Sequence, residues 1–174
     1  MVAAILTAIV MSVFEADPAL AAPAISSPSA ICLVHAQNYC LNWTSRGPVL
    51  VNKTQQPIQE WFTEYEGNWT INGTSYFSYA LCAGSNGTNL SDCISDLNVG
   101  VGGDLSDNAS DTANGTAWVW STDQDGFDLV SKYDLRTTGN YHDICALTPG
   151  SGVPAQLCPY GTGYFRWISI PVAR

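Results

Sequence analysis

The stretch from Tyr39 to Trp61, YCLNWTSRGPVLVNKTQQPIQEW, has the clearest pattern in the chain. It opens on Cys-Leu-Asn and closes on Gln-Glu-Trp. Between these ends, an Arg-Gly-Pro sequence and an apolar Val-Leu-Val run predict a turn followed by a strand. Weaker versions of the closing tryptophan occur at Trp120 and Trp167. The stretch therefore predicts the first of three related β-rich segments.

The rest of the chain is also typical of short β-strands. Residues 116–122 and 127–133 flank an Asp-Gly turn, which is a strong hairpin signal. Residues 31–34 and 39–44 form a second predicted hairpin, with its turn at Gln37-Asn38. Glycine and proline interrupt every apolar run, and no sustained helical period follows the N-terminal segment. These patterns predict an all-β fold, either a barrel or a sandwich.

The N-terminal segment is typical of an export signal. Residues 2–14 are apolar but too few to span a bilayer, and small residues suited to signal cleavage precede residue 25. We therefore expect a signal peptide at 1–24, a lead-in at 25–30 and one domain at 31–174, secreted to an extracellular location. Within this domain, residues 98–115 are rich in Gly, Asp, Asn and Ser, which predicts a mobile loop.

The charge composition argues against polyanionic partners. The chain has a net charge of −9, and only 12% of its residues are charged. A field of this sign repels nucleic-acid phosphates and anionic membranes, so neither is expected as a partner. We expect a monomer whose solubility depends on uncharged polar side chains.

The six cysteines fall into three local clusters. In an exported chain, an even number of cysteines predicts disulfides. Sequence alone does not select the pairing, but the clusters favour three local bridges, Cys32–Cys40, Cys82–Cys93 and Cys145–Cys158. With two histidines and no Cys-x-x-Cys motif, a zinc site is not expected, and no other metal or cofactor is predicted.

The opening and closing motifs together resemble one repeat of the ricin-B-like β-trefoil lectins. Repeats of that family open on Cys-Leu-Asp and close on Gln-x-Trp. The resemblance covers roughly residues 31–172 and implies a β-trefoil, whereas the residues themselves also allow a disulfide-stapled β-sandwich. It further implies a secreted, non-catalytic, carbohydrate-binding module whose partner is a glycan.

The resemblance also implies ligand-binding residues. In the family, an Asp after Cys-Leu, an aromatic platform and an Asn before Gln-x-Trp bind the sugar. Here Asn42 stands at the acid position and Gln59 is kept, while Trp118 shares a strand face with the second closing tryptophan. The acid positions of the other two repeats are occupied by Gly84 and Leu147. The predicted ligand-binding residues are therefore Asn42, Gln59 and Trp118.

Two other functions remain open at this point. A secreted protease inhibitor, or another β-trefoil that acts on a protein partner, would present the predicted loop at 98–115. A small secreted hydrolase or nuclease would use His35 and His142 as bases near neutral pH, together with an acid such as Glu64. No nucleophile motif accompanies these histidines, so no catalytic residue is predicted.

Overall fold

The computed structural model describes seven stretches of the chain, which are residues 28–55, 59–71, 73–83, 92–97, 99–107, 117–122 and 125–172. Twelve strands and one short helix lie within these residues. The prediction of an all-β fold is confirmed. The predicted signal peptide lies outside the described residues, as does most of the lead-in, but Ser29 and Ala30 belong to the first strand rather than to a lead-in.

The elements follow one another in this order: β1 (Ser29–Leu33), β2 (Ala36–Thr44), β3 (Gly47–Asn52), β4 (Trp61–Ile71), β5 (Thr74–Ala83), β6 (Asp92–Ser95), β7 (Ser106–Asp107), β8 (Ala117–Thr122), β9 (Phe127–Ser131), α1 (Lys132–Thr137), β10 (His142–Cys145), β11 (Gln156–Pro159) and β12 (Trp167–Pro171). All the strand pairings are antiparallel.

Six of these strands form a closed ring. The pairings run from β1 to β4, β5, β8, β9 and β12, and β12 pairs again with β1. Three two-stranded hairpins, β2–β3, β6–β7 and β10–β11, each pair with one strand of the ring. Closure of the ring leaves none of these six strands as an unpaired edge.

Three tryptophans lie at the centre of the core in equivalent settings. The rings of Trp61, Trp118 and Trp167 are fully buried in one cluster of apolar side chains. Each indole N–H donates to a backbone carbonyl oxygen in the first strand of a hairpin, at 2.9–3.0 Å. The acceptors are the carbonyls of Leu41, Ile94 and Ile144, respectively. A buried N–H without a partner is costly, so these hydrogen bonds stabilise the core. Each of them also connects a ring strand to a hairpin.

The six cysteines form three disulfides, Cys32–Cys40, Cys82–Cys93 and Cys145–Cys158. These are the local pairings that the clustering favours. The first two join residues that are directly opposite each other on adjacent strands, and the third joins β10 to β11. Each bridge therefore fastens one hairpin strand to its neighbour.

The predicted loop at 98–115 differs from expectation in its described part. Leu105 is buried in the core, and its N–H donates to Ala155. The N–H of Gly102 donates to Leu157, whose own N–H donates to Gly103. Residues 99–107 are therefore anchored by these hydrogen bonds and by the burial of Leu105 in the core. Residues 98 and 108–115 lie outside the described part.

Two local predictions also need correction. The turn of the first hairpin lies at Val34-His35 and not at Gln37-Asn38. Residues 132 and 133 begin helix α1 instead of extending the strand that ends at Ser131. Ser131 caps this helix, because its hydroxyl accepts a hydrogen bond from the N–H of Asp134 at 3.0 Å. The cap ends the strand and turns the chain towards β10.

Candidate functional site

The residues predicted from the lectin resemblance do not form an aromatic sugar platform. Trp118 has an exposed fraction of 0%, so its ring is available only for core packing. Asn42 lies partly buried on β2 opposite Val49. The side-chain amide of Gln59 donates to the carbonyl of Glu60 at 3.1 Å. The prediction that Trp118 contacts a ligand is therefore wrong, because the tryptophan fills the interior of the ring.

The second repeat is also displaced from its predicted alignment. Trp118, and not Trp120, is equivalent to Trp61, because Trp118 makes the indole hydrogen bond to a hairpin. The ring of Trp120 instead stacks on Phe127, with centroids 4.5 Å apart. Two residues that are two positions apart on a strand face the same side, so the sequence pattern did not distinguish them.

This alignment also changes which residues correspond to the acid position that the lectin resemblance predicted. Leu41, Ile94 and Ile144 are equivalent, since each accepts one of the three indole hydrogen bonds. The residues that follow Ile94 and Ile144 are Ser95 and Cys145, rather than the Gly84 and Leu147 that the motif alone suggested. Ser95 is buried and Cys145 is in a disulfide. Neither repeat thus offers a carboxylate at this position.

The residues named for a hydrolase lie in different surroundings. His35 is exposed in the β1–β2 turn. His142 begins β10, and its Nδ1 lies 2.7 Å from the carboxylate of Asp134 on α1 rather than bonding to its neighbour Asp143. The side chain of Glu64 lies outside the described part of the structure. The structure does not assemble His35 and His142 into one site.

A different set of residues forms an open cleft on the outside of the ring. We call it the tyrosine cleft. It has a volume of about 370 Å³. Its lining residues are Tyr76, Val119, Ser121, Val130, Tyr141 and Tyr160.

The tyrosine rings contact one another around this cleft. The hydroxyls of Tyr76 and Tyr141 are hydrogen-bonded at 3.1 Å. This bond and burial raise the pKa of Tyr76 above its ordinary value. The rings of Tyr141 and Tyr160 meet edge to face, with centroids 6.1 Å apart. Tyr141 and Tyr160 are exposed by 46% and 56%, respectively, and so present both ring surface and hydroxyls to solvent.

Strand alternation explains the apolar floor of the cleft. On β8 and β9, Trp118 and Leu129 face the core, so Val119 and Val130 face outwards. These two valines are paired across the strands and pack with Leu135 of α1. The short helix therefore covers one side of the valine surface, and the tyrosines border what remains.

Two carboxyl groups are buried on the same outer face of the sheet. Asp128 lies opposite Ser121, and Asp143 lies opposite Val130. Burial, followed by the nearby charge of Asp128, raises the pKa of Asp143 to about 7. Neither oxygen of Asp143 makes a hydrogen bond of regular geometry, although the N–H of Gly161 is close enough to lower the pKa somewhat. Burial therefore favours the protonated form of Asp143.

A third buried acid lies beside helix α1. The hydroxyl of Ser131 donates to the carboxylate of Asp96. Burial raises the pKa of Asp96 to about 6, and the Asp134 charge adds to this, while the hydrogen bond from Ser131 opposes it. This cluster fixes the start of α1. With Asp96 and Ser131 buried, it has no open surface on which a ligand could react.

A cation–π contact lies on the other side of α1. The ammonium group of Lys132 lies 3.6 Å from the centroid of the Trp69 ring. Trp69 is opposite Tyr76 on the adjacent strand, so this contact borders the tyrosine cleft. Burial lowers the pKa of Lys132, and Glu66 partly opposes this shift. The contact stabilises the position of α1 against β4.

A second cleft, which we call the arginine cleft, lies near the β1–β2 turn and has a volume of about 330 Å³. Its lining residues are His35, Gly163, Tyr164, Phe165 and Arg166. The Nε atom of Arg166 forms an ion pair with the buried carboxylate of Asp128 at 2.9 Å. A signal for both clefts was present in the sequence, since Tyr160, Tyr164 and Phe165 form an aromatic-rich stretch near the C-terminus.

Among the described residues, no three His, Cys, Asp or Glu side chains are grouped so that they could hold a metal ion. The same part of the chain contains no helix with the length and apolar character needed to cross a bilayer. Comparisons with protein-family models, with curated proteins and with solved structures found no match for this chain.

Proposed function

We propose that this protein is a secreted, non-catalytic carbohydrate-binding module, and that it binds sugar in the tyrosine cleft. The observation that carries the proposal is the arrangement of Tyr76, Tyr141 and Tyr160 around an open cleft with an apolar floor. A tyrosine ring packs against the C–H face of a sugar, and its hydroxyl hydrogen-bonds the sugar hydroxyls. The cleft volume of about 370 Å³ falls in the usual range for small-ligand sites, about 300–1,000 Å³.

We infer a β-trefoil as the scaffold. The closed ring of six strands, with three hairpins attached to it, supports this inference. The indole hydrogen bonds of Trp61, Trp118 and Trp167 support it further, because the same contact between a buried tryptophan and a hairpin carbonyl occurs three times. The resemblance of the first segment to a ricin-B-like repeat is consistent with this scaffold. The proposed sugar site is nevertheless different from the family's acid position at Asn42.

Secretion is part of the proposal. The three disulfides support it, since such bonds persist in oxidising, extracellular surroundings. The apolar N-terminal segment, which lies outside the described residues, has the composition of an export signal. A monomeric module that requires no nucleic acid or membrane agrees with the net charge of −9.

The alternatives have less support. A protease inhibitor would present the segment at 98–115, but residues 99–107 are bound to the β11 region and bury Leu105. A hydrolase would need an accessible acid and base. The carboxyl groups with raised pKa values, Asp96 and Asp143, are both buried. The geometry therefore favours binding over catalysis.

A glycan array on the oxidised protein tests the proposal, followed by titration calorimetry with the best ligand. We expect Tyr160→Ala to weaken binding by about tenfold or more, because an aromatic contact of about 1.5 kcal/mol is lost. Tyr141→Phe is expected to have a smaller effect, since the ring remains and only the hydroxyl bonded to Tyr76 is removed. Tyr133→Ala is the matched control, because Tyr133 is also an exposed tyrosine and lies outside the cleft lining. Binding to no glycan, or equal losses in Tyr160→Ala and Tyr133→Ala, would refute the proposal.

A further inference from the structure

The two clefts meet at a single aromatic contact. Tyr160 lines the tyrosine cleft and Phe165 lines the arginine cleft. The centroids of these two rings are 5.7 Å apart. Since Tyr160 also contacts Tyr141, the three rings form a continuous ridge from one cleft to the other. A ligand that covers this ridge would enter both clefts.

The arginine cleft differs from the tyrosine cleft in its charge. The side chain of Arg166 is 21% exposed, and its Nε is the atom in the ion pair with Asp128. A guanidinium is a rigid plane with five N–H donors, so an ion pair at Nε holds one edge of the group beside the carboxylate. Asp128 is 4% exposed. The buried carboxylate therefore keeps the arginine at the cleft by charge attraction.

The backbone around this arginine is held by specific contacts. The N–H of Val34 donates to the carbonyl of Arg166 at 2.9 Å, which places the β1–β2 turn beside it. Tyr164 exchanges two backbone hydrogen bonds with Ala146, at 2.8 and 3.0 Å. A Cβ atom at Gly163 would lie 2.8 Å from the carbonyl oxygen of Ala146, and Gly163 has a φ of +67°. These contacts define the shape of the cleft.

The electrostatics favour a singly charged ligand. The chain contains only six Lys and Arg residues and has a net charge of −9, so a long polyanion is repelled. One carboxylate at Arg166 is different, because a guanidinium binds it through charge-assisted hydrogen bonds.

We propose that the arginine cleft is a second sugar subsite that takes an acidic unit, so that the protein recognises an oligosaccharide carrying one carboxylate. The neutral part of this ligand stacks in the tyrosine cleft. The acidic unit is a uronic acid, and its carboxylate accepts hydrogen bonds from Arg166. The exposed His35 lies on the rim of the same cleft and contributes a further polar contact. This inference rests on the function proposed above.

The test compares two probes by titration calorimetry: a trisaccharide that ends in glucuronic acid, and the trisaccharide that ends in glucose instead. We expect the wild-type protein to bind the acidic form about tenfold more tightly, the effect of a charge-assisted hydrogen bond. Arg166→Met alone would leave Asp128 buried and unpaired, which endangers folding. The informative variant is therefore Asp128→Asn with Arg166→Met. Arg46→Gln is the control, because it removes the same charge from an exposed turn outside the cleft lining.

The expected result is that the double variant binds both probes equally, with wild-type affinity for the neutral form, while Arg46→Gln keeps the preference. Equal binding of the two probes by the wild-type protein overturns the inference, and so does a preference that survives in the double variant. Either of these outcomes leaves the tyrosine cleft intact as a sugar site. Binding of neither probe, together with a negative glycan array, refutes the proposed function and the inference with it. Near-ultraviolet circular dichroism verifies that each variant is folded.

Discussion

Replacing Asp143 with asparagine is expected to stabilise the protein at alkaline pH, although the residue is buried. Asp143 has an exposed fraction of 0%, and neither of its oxygens makes a regular hydrogen bond. Burial and the charge of Asp128 raise its pKa from 3.8 to about 7. Asparagine keeps the shape of the side chain and removes its charge. The substitution therefore removes the unfavourable ionisation and leaves the ion pair between Asp128 and Arg166 in place.

The sign and size of the effect follow from proton linkage. Because the pKa of Asp143 is higher in the folded state, the folded protein binds more protons between pH 4 and 7. The free energy of unfolding therefore falls as the pH rises through this window, and the full penalty is present above pH 7. A shift of about three pKa units corresponds to about 4 kcal/mol. We expect a gain of about 2–4 kcal/mol for the Asp143→Asn variant at pH 8, and little change near pH 4.

Urea unfolding of the oxidised protein at several pH values from 4 to 8.5 measures this effect. The slope of the unfolding free energy against pH is expected to be flatter in Asp143→Asn than in the wild-type protein. Some slope remains, because the pKa of Asp96 is also raised, to about 6, and it acts in the same direction. Asp125→Asn is the matched control, since it removes the same charge from an exposed turn. An unchanged slope in Asp143→Asn, or destabilisation at pH 8, would contradict this account of the buried carboxyl.

Two further predictions concern the scaffold. Gly47→Ala is expected to lower the unfolding free energy by more than about 2 kcal/mol, whereas Gly73→Ala costs only about 1 kcal/mol in urea unfolding. Both glycines have positive φ, but a Cβ at Gly47 would clash with the carbonyl oxygen of Leu105, whereas Gly73 faces open space. Equal losses of unfolding free energy in the two variants would show that this close approach does not matter. The indole N–H groups of Trp61, Trp118 and Trp167 are bonded to hairpin carbonyls, so we expect them to exchange most slowly in hydrogen exchange followed by NMR. Faster exchange at these three than at the other tryptophans would argue against their shared packing role.

The parts of the fold that depend on local sequence agree with prediction. Alternating apolar residues, an Asp-Gly turn and short runs between glycines and prolines indicate an all-β protein, because each is a property of a few neighbouring residues. The three disulfides also follow the local clustering of the cysteines. The hairpin of β8 and β9 was predicted to within a few residues, and only the helix cap at Ser131 changed where the second strand ends.

The candidate site was not predicted, because its residues are distant in the chain. Tyr76, Tyr141 and Tyr160 come from β5, from the approach to β10 and from the turn after β11. No local pattern distinguishes Tyr76 and Tyr141 from Tyr65 or Tyr133, which are exposed elsewhere. The pairings of β5 with β8, β8 with β9, β9 with β10 and β10 with β11 bring them around one cleft.

The sequence by itself determined the class of fold, the hairpins and the local disulfide clusters, because these depend on alternation, turn residues and short separations. The tertiary structure decided three further points. It placed Trp118 rather than Trp120 against a hairpin carbonyl, it buried Leu105 of a polar segment, and it raised the pKa of Asp143. Each of these depends on which distant residues surround a side chain. Burial, hydrogen-bond partners and local charge are properties of the folded molecule. Two residues on the same strand face therefore acquire different roles only when the chain is folded.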